Sequence, residues 1–427
     1  MLKFCLLYGL LIYLSITLTS CGLQQAKDYK VNQVGNNKIA AQILGDTNLL
    51  AICYGGYRTN TRDAEPSITQ IKEDLKILRA MGIKLLRTYN TKYLEASNLL
   101  QAISELQTED STMEMYVMLG AWIDCENAWT TALPKHDKEN EIANNNEIKR
   151  AVELANKYPQ IVKMISVGNE AMVKWAISYF VTPNIILKWV NHLQQVKKQN
   201  GLPKDIWITS SDNFASWGGG DTTYHVEDLN KLYQAVDFVS LHTYPMHDTH
   251  YNPVFWKVSE EEKTLSNEVK IDSLMSRSLN YAKAQYLSVY HYMKSIGVDK
   301  PIHIGETGWA SNDDGFYGKI GSKACDEFKS AKYYHLMREW TTKEKITCFY
   351  FEAFDEKWKD KTNPNGSENH FGLFTVDGKA KYAIWDKVDQ GVFKTLTRDG
   401  KPIVKTHQGK KEKLLKMVVL PSHQTNY

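Results

Sequence analysis

Two glutamates stand in settings that suit acid–base and nucleophilic work. The stretch PIHIGETGWAS, Pro301 to Ser311, begins as a short buried strand and runs at once into Gly305, Glu306, Thr307, Gly308 and Trp309. The stretch MISVGNEAMVKW, Met164 to Trp175, has the same form: an apolar run, then Gly168-Asn169-Glu170. In a barrel of alternating strands and helices, catalytic residues sit at the C-terminal ends of strands. Two strand-end glutamates are the minimum equipment for cleaving a glycosidic bond.

The rest of the chain must bring these two carboxylates together. Eight short apolar runs occur in order: Leu49–Tyr57, Ile83–Asn90, Met113–Asp124, Ile161–Val167, Asp205–Asn213, Val236–Pro245, the run opening at Pro301, and Lys345–Glu356. Each ends in polar residues, and most are followed by a helical pattern. Apolar spacing predicts helices over Ser67–Ala80, Tyr93–Leu106, roughly Glu147–Lys157, Pro183 to about Gly201, Ile271–Ile296 and Ala324–Thr342, with Tyr382–Gln390 as a closing helix. The strands lack strict alternation, as expected where both faces are buried. Count and span predict an α/β fold, a single (β/α)8 TIM barrel over residues 47–392. A doubly wound sheet fits poorly, because no Gly-rich dinucleotide turn is present.

Such a barrel would gather its strand-end residues at one mouth. The candidates are Tyr54; Arg87 and Tyr89; Trp122; Asn169 and Glu170; Asp212 and Asn213; His242 and Tyr244; Glu306 and Trp309; and Glu356 and Lys359. Carboxylates, amides, phenols and indoles around one cavity suit a neutral polyhydroxylated substrate. Trp129, Trp217 and Trp358 are further candidates for sugar-stacking platforms. The spacing of His247-Asp248-Thr249-His250 fits no standard metal site, and no metal or cofactor is expected. His303, inside its strand, reads as a core histidine.

Three motifs, SVGNEAM at the fourth strand, HIGETGWAS at the seventh and FEAFDEKWK at the eighth, resemble glycoside hydrolase family 17. That family contains β-1,3-glucanases and related glucanosyltransferases. Tyr54-Gly55 and the FGLF of Phe371–Phe374 also fit, and the resemblance spans about Leu49 to Lys387, closer to the fungal and bacterial branch than to the plant branch. It implies Glu170 as general acid/base, Glu306 as nucleophile and Asn169 as the holder of a sugar 2-hydroxyl. Tyr244 would lie near Glu306. Tyr54 and Trp309 would contact substrate, and Glu356 and Lys359 would complete the catalytic subsite. The implied activity is retaining cleavage of β-1,3-glucan, with a glucanosyltransferase or a catalytically silent glucan-binding lipoprotein as alternatives.

Composition agrees with a carbohydrate-directed globular protein. Of 427 residues, 43% are hydrophobic and 24% charged, and the net charge of +3 is too small and too mixed to suggest nucleic acid. The N-terminus, Met1-Leu2-Lys3 followed by an apolar run to Leu18 and then Thr19-Ser20-Cys21, looks like a bacterial lipoprotein signal. Residues 1–20 would be removed, Cys21 lipidated, and residues 21–46 left as a tether to a cell-envelope membrane. The mature protein is expected to be a monomer. Of the remaining cysteines, Cys53 and Cys348 sit in strand-like runs as small buried hydrophobes. Residues 393–427 are Lys-rich and read as a solvated tail.

Overall fold

The computed structural model of the protein describes residues 38–421, so the expected signal, Cys21 and most of the tether lie outside the described residues. Eight parallel strands close a barrel: β1 Leu50–Cys53, β2 Ile83–Arg87, β3 Tyr116–Ala121, β4 Val162–Asn169, β5 Trp207–Asn213, β6 Val239–His242, β7 Ile302–Thr307 and β8 Cys348–Tyr350. Each strand falls within or overlaps one of the eight apolar runs. The ring shuts where β8 pairs with β1, Phe349 opposite Ala51. Helices between and after the strands include α1 Ile68–Ala80, α2 Leu94–Glu109, α3 Glu141–Lys157, α4 Pro183–Lys198, α5 Glu227–Ala235, α6 Asn267–Ser295, α7 Glu327–Lys343 and α8 Trp385–Asp389.

Local chemistry sets where these elements start. Ser67 accepts from Gln70 N and Gln70 returns a side-chain bond to Ser67 N, a reciprocal cap that opens α1. Asn140, Ser266 and Asp326 cap α3, α6 and α7 in the same accepting sense, and Pro183 occupies the first turn of α4. Every residue of β3 and β7 is buried, because helices cover one face and the packed barrel interior the other, so neither strand could alternate in sequence.

Register delivers the site. Asn169 of β4 pairs with Ser211 of β5, Asn213 of β5 with His242 of β6, and His242 with Glu306 of β7. The ladder is irregular between Ser166 and Asn169 and between Leu241 and His242, immediately before those residues. Such bulges re-aim side chains at barrel rims.

Three regions depart from the sequence reading. Within the expected tether, Ala40–Ile43 is a short helix whose Ala40 and Ile43 are buried in the barrel's core cluster. The loop after β3 carries a small antiparallel pair, Cys125–Glu126 against Lys135–Glu139, hidden in the sequence because KHDKE is charged and largely exposed. The expected solvated tail is packed on the barrel as far as it is described. Phe393, Ile403 and Leu414 are buried, and Arg398 reaches the equally buried Asp74 of α1, 2.8 Å away. The Lys329 ammonium also donates to Val419 O, tying the segment to α7.

Candidate active site

The backbone turns sharply as β4 ends. Gly168 has φ +77°, and a Cβ there would meet Ala171 Cβ at 2.9 Å and Ile186 Cδ1 at 3.0 Å, so glycine is required. Glu170 itself has φ +46°, a left-handed conformation held by its N–H donating to Ser211 O at 3.0 Å. Asp212, buried on β5, anchors the turn after Glu170: it accepts from Met172 N at 2.7 Å and from Ser216 Oγ at 2.6 Å. Burial, opposed by those hydrogen bonds, pushes its carboxyl up to about 6.

Glu306 ends β7 in a closed cage. Arg87 Nη1 donates to its Oε1 at 2.7 Å and the Tyr244 hydroxyl donates to its Oε2 at 2.7 Å. Arg87 also donates to Gly305 O at 2.8 Å, and through Nη2 to Asn169 Oδ1 at 2.6 Å. One guanidinium, almost fully buried, therefore locks the ends of β4 and β7 together, using the forked donor geometry that only arginine offers. His242 lies between the two glutamates, its Nδ1 3.3 Å from Glu170 Oε1 and 3.6 Å from Glu306 Oε2. One ring nitrogen this close to both carboxyls suits the short spacing of a retaining pair, about 5–5.5 Å, better than the wider gap of an inverting one.

The two carboxyls have opposite proton affinities. Burial, then the charges of Glu306 and Asp212, hold Glu170 well above the usual carboxylate range. Burial would raise Glu306 as well, but the charge of His242 when its ring is protonated, Arg87, the Tyr244 hydrogen bond and Lys359 oppose it, and its net shift is downward. His242 itself is pushed down to about 3 by burial, against the pull of Glu306, so it is neutral at ordinary pH. With the ring neutral, Arg87, the Tyr244 hydrogen bond and Lys359 stabilise the Glu306 charge. The two shifts run in opposite directions, so Glu170 keeps its proton to a higher pH than Glu306 does, the division of labour an acid and a nucleophile need.

Around this centre, Lys359 Nζ lies 3.3 Å from Glu352 Oε2 and 3.4 Å from Glu356 Oε2, and 4.1 Å from the Phe351 ring centre. On the β3–β4 side, Trp122, Trp129 and Tyr179 form an aromatic wall. Tyr179 stacks on Trp129 at 4.9 Å, and both indole N–H groups donate to Asp124 Oδ1. Trp129 is 60% exposed, with its backbone at φ +60°.

The sequence candidates divide accordingly. Glu170, Glu306, Asn169 and Tyr244 meet in one cluster. Lys359 stands at its edge. Glu356 is buried and meets Lys359, its Oε1 so close to Gly55 that a Cβ there would lie 2.0 Å away. Tyr54 and Trp309 are not available to a ligand. Tyr54 is sealed within the fold, its hydroxyl donating to Asp74 at 3.0 Å. Trp309 is equally buried, donating to Ala324 O at 2.9 Å and packed on Trp256 and Tyr333. Trp217 is likewise a core residue, bonded to Ser240 O. His303 accepts from Thr347 N inside the barrel, as a core histidine. His247 contacts Tyr317 and His250 stacks on Phe316. Among the described residues no group of three or more His, Cys, Asp or Glu is arranged to hold a metal ion. The linking role of Arg87 and His242, and the presence of Glu352, Tyr179 and Asp124, were not legible from spacing. Only strand-end position marked Arg87 and His242, and nothing local marked Tyr179.

A family model, the BtgE/BtgC glycoside hydrolase domain, matches residues 51–372. A solved endo-laminarinase from Formosa Hel1_33_131 is 60% identical, covering 91% of this chain and 100% of that one, with a TM-score of 0.89. A glucan 1,3-beta-glucosidase of Arthroderma benhamiae is 26% identical over 75% of this chain and 85% of its own length. A glycoside hydrolase family 17 beta-1,3-glucanosyltransferase from Rhizomucor miehei, 18% identical over 79% of this chain and 96% of that one, shares the fold with a TM-score of 0.54. With β4 and β7 each presenting a glutamate at the barrel mouth, the chain belongs to the BtgE/BtgC glycoside hydrolase domain family.

Proposed function

We propose that the protein is a retaining glycosidase that cleaves β-1,3-glucan by double displacement. The observation that carries this reading is the Glu170–Glu306 pair bracketing His242, with burial and neighbouring charge shifting Glu170 up while Arg87 and Tyr244 help shift Glu306 down. Glu306, ionised beside Arg87, attacks the anomeric carbon while Glu170 gives its proton to the departing glycosidic oxygen. The sugar is then an ester on Glu306, whose charge is gone. Glu170, now a carboxylate, takes a proton from the incoming hydroxyl, and the ester breaks. Asn169, its oxygen occupied by Arg87, keeps its amide N–H groups as donors for the sugar 2-hydroxyl. Lys359, tied to Glu352 and Glu356, binds hydroxyls at the edge of the site, and no cofactor takes part. The endo-laminarinase likeness supports a laminarin-type substrate and cleavage within the chain.

The second reading is glucanosyl transfer by the same residues. The exposed Trp129 and its stacked partner Tyr179 favour it, since an aromatic wall on the Glu170 side would hold an acceptor sugar. Incubating the mature protein with a linear β-1,3-glucan oligosaccharide and sizing the products separates the outcomes. Shorter sugars alone mean hydrolysis, and longer ones mean transfer. Binding without products overturns enzymatic action and leaves the silent glucan-binding reading. The reading extends to a monomer tethered to the envelope through lipid on Cys21, supported by the Leu18-Thr19-Ser20-Cys21 pattern. Cys21→Ala should release the protein from membranes, and retention by that variant would contradict the anchor.

A further inference from the structure

His242 is a buried histidine between two catalytic candidates, and its other contacts dictate the tautomer it must adopt. Its Nε2 lies 3.1 Å from Arg87 Nη1 and 2.7 Å from Ser211 Oγ. Both Nη1 hydrogens are committed, to Glu306 Oε1 and Gly305 O, and a hydrogen on Nε2 would point at this cation, so Nε2 is the accepting nitrogen. Ser211 then donates to the same nitrogen, and Ser240, 2.7 Å from Ser211 Oγ, donates in turn. The chain Ser240 to Ser211 to Nε2 runs through the space beside Gly305, where a Cβ would come within 2.2 Å of Ser240 Oγ and 2.4 Å of Ser211 Oγ. With Nε2 accepting, the ring's one hydrogen is on Nδ1. That N–H faces Glu170 Oε1 at 3.3 Å and, beyond bonding range, Glu306 Oε2 at 3.6 Å, which accepts from Tyr244.

We propose that His242 is a positioning residue that acts as a fixed, neutral donor to Glu170 Oε1 and thereby confines the transferable proton to Glu170 Oε2. This rests on the reading of Glu170 as acid/base. In a protonated carboxyl the carbonyl oxygen is the stronger acceptor, so the oxygen facing the Nδ1–H takes that form and the hydroxyl is the other one. In the first step the Oε2 proton passes to the glycosidic oxygen as the bond to the anomeric carbon breaks and Glu306 forms its ester. Glu170 is left as a carboxylate, and the same Nδ1–H then makes a charge-assisted bond to it, which is stronger. In the second step Oε2 takes a proton from water or a sugar hydroxyl, that oxygen bonds to the anomeric carbon, and the ester to Glu306 breaks. His242 keeps one proton throughout. The donor favours the ionised form of Glu170 and so opposes burial and the charges of Glu306, Asp212 and Glu368, with Arg87 acting in the same sense as the donor. Tyr179 faces the same carboxyl from the loop after β4.

The test has two readouts. In protein labelled with 15N-histidine, the His242 ring should give a protonated Nδ1 and an unprotonated Nε2 across the range where the enzyme is active, with His242→Asn supplying the assignment. A protonated Nε2, or a doubly protonated ring, overturns the proposal whatever Glu170 does. His242→Ala should move the basic limb of the kcat/KM profile upward by about one pH unit and lower kcat on a linear β-1,3-glucan oligosaccharide about tenfold, the scale of one lost hydrogen bond. An aryl glucoside whose leaving group needs no proton should be affected much less in its glycosylation step. His242→Asn, which can place an amide N–H near the Nδ1 position, should bring the limb back. An unmoved limb, or equal losses on both substrates, would show a merely structural role. Should the Ala variant not fold, the limb and substrate comparison in His242→Asn and the ring shifts still decide. The acid/base reading is checked separately: azide should rescue Glu170→Ala on the aryl substrate, and failure there sinks that reading while leaving the tautomer result standing.

Discussion

At the residue scale, two glutamates of like charge do unlike work. Burial raises Glu170, while Arg87 and Tyr244 help bring Glu306 down. The signs fix the pH profile. Activity should fall on the acid side as Glu306 gains a proton, below the ordinary glutamate range, and on the basic side as Glu170 loses its proton, above that range. A kcat/KM profile on a β-1,3-glucan oligosaccharide measures both limbs, and a basic limb within the ordinary glutamate range would contradict the assignment. Arg87→Lys keeps a charge but loses the fork that spans Glu306 and Asn169. It should cost roughly 10²-fold or more in kcat/KM, the scale of misplaced catalytic geometry, with the acid limb moving up. Trp309 tests a different point. As a core residue, Trp309→Ala should lower stability by about 3–5 kcal/mol, read as a drop in Tm. As a sugar platform it would instead have raised KM and left Tm unchanged.

At the scale of elements, strands were legible and their partnerships were not. All eight runs became barrel strands because parallel strands buried on both faces are written as unbroken apolar stretches. Their polar ends marked Glu170 and Glu306 directly. What no single run could show is that β2, β4, β6 and β7 bring Arg87, Asn169, His242 and Glu306 within one hydrogen-bond network, since this needs the ring to close and the ladder to slip before His242. The same limit explains Trp309. Its place next to a catalytic candidate in sequence says nothing of direction once the strand has ended, and the chain there turns the indole into the core. The hairpin after β3 was hidden by its charge, and the segment after residue 392 by its lysines. That segment carries a firm prediction. Arg398 and Asp74 are both fully buried and paired, and Tyr54 and Arg58 share the same carboxylate. Arg398→Ala leaves Asp74 short of a buried partner and should cost about 3–5 kcal/mol, measured by denaturant unfolding. A change near zero would restore the picture of a solvated tail.

At the scale of the whole molecule, the barrel separates two jobs around its mouth. Strands β4 to β7 hold the carboxyl pair, while the β3–β4 side raises an aromatic wall and the β8 side a lysine set between two buried glutamates. The wall stands beside the proposed acid/base, so it is where a leaving or incoming sugar would rest. Trp129→Ala should reduce longer products relative to shorter ones at high oligosaccharide concentration, by a few-fold on the scale of one stacking contact. Unchanged product ratios would remove the wall from that choice. In the proposed double displacement Glu306 becomes covalently bound to the sugar. Incubation with a 2-deoxy-2-fluoro glucosyl donor, whose second step is slow, followed by proteolysis and mass spectrometry, tests it most directly. A sugar ester is expected on the peptide carrying Glu306, formed also by Glu170→Gln when the leaving group is good. An adduct on another residue, or no adduct together with products of inverted configuration, would contradict it.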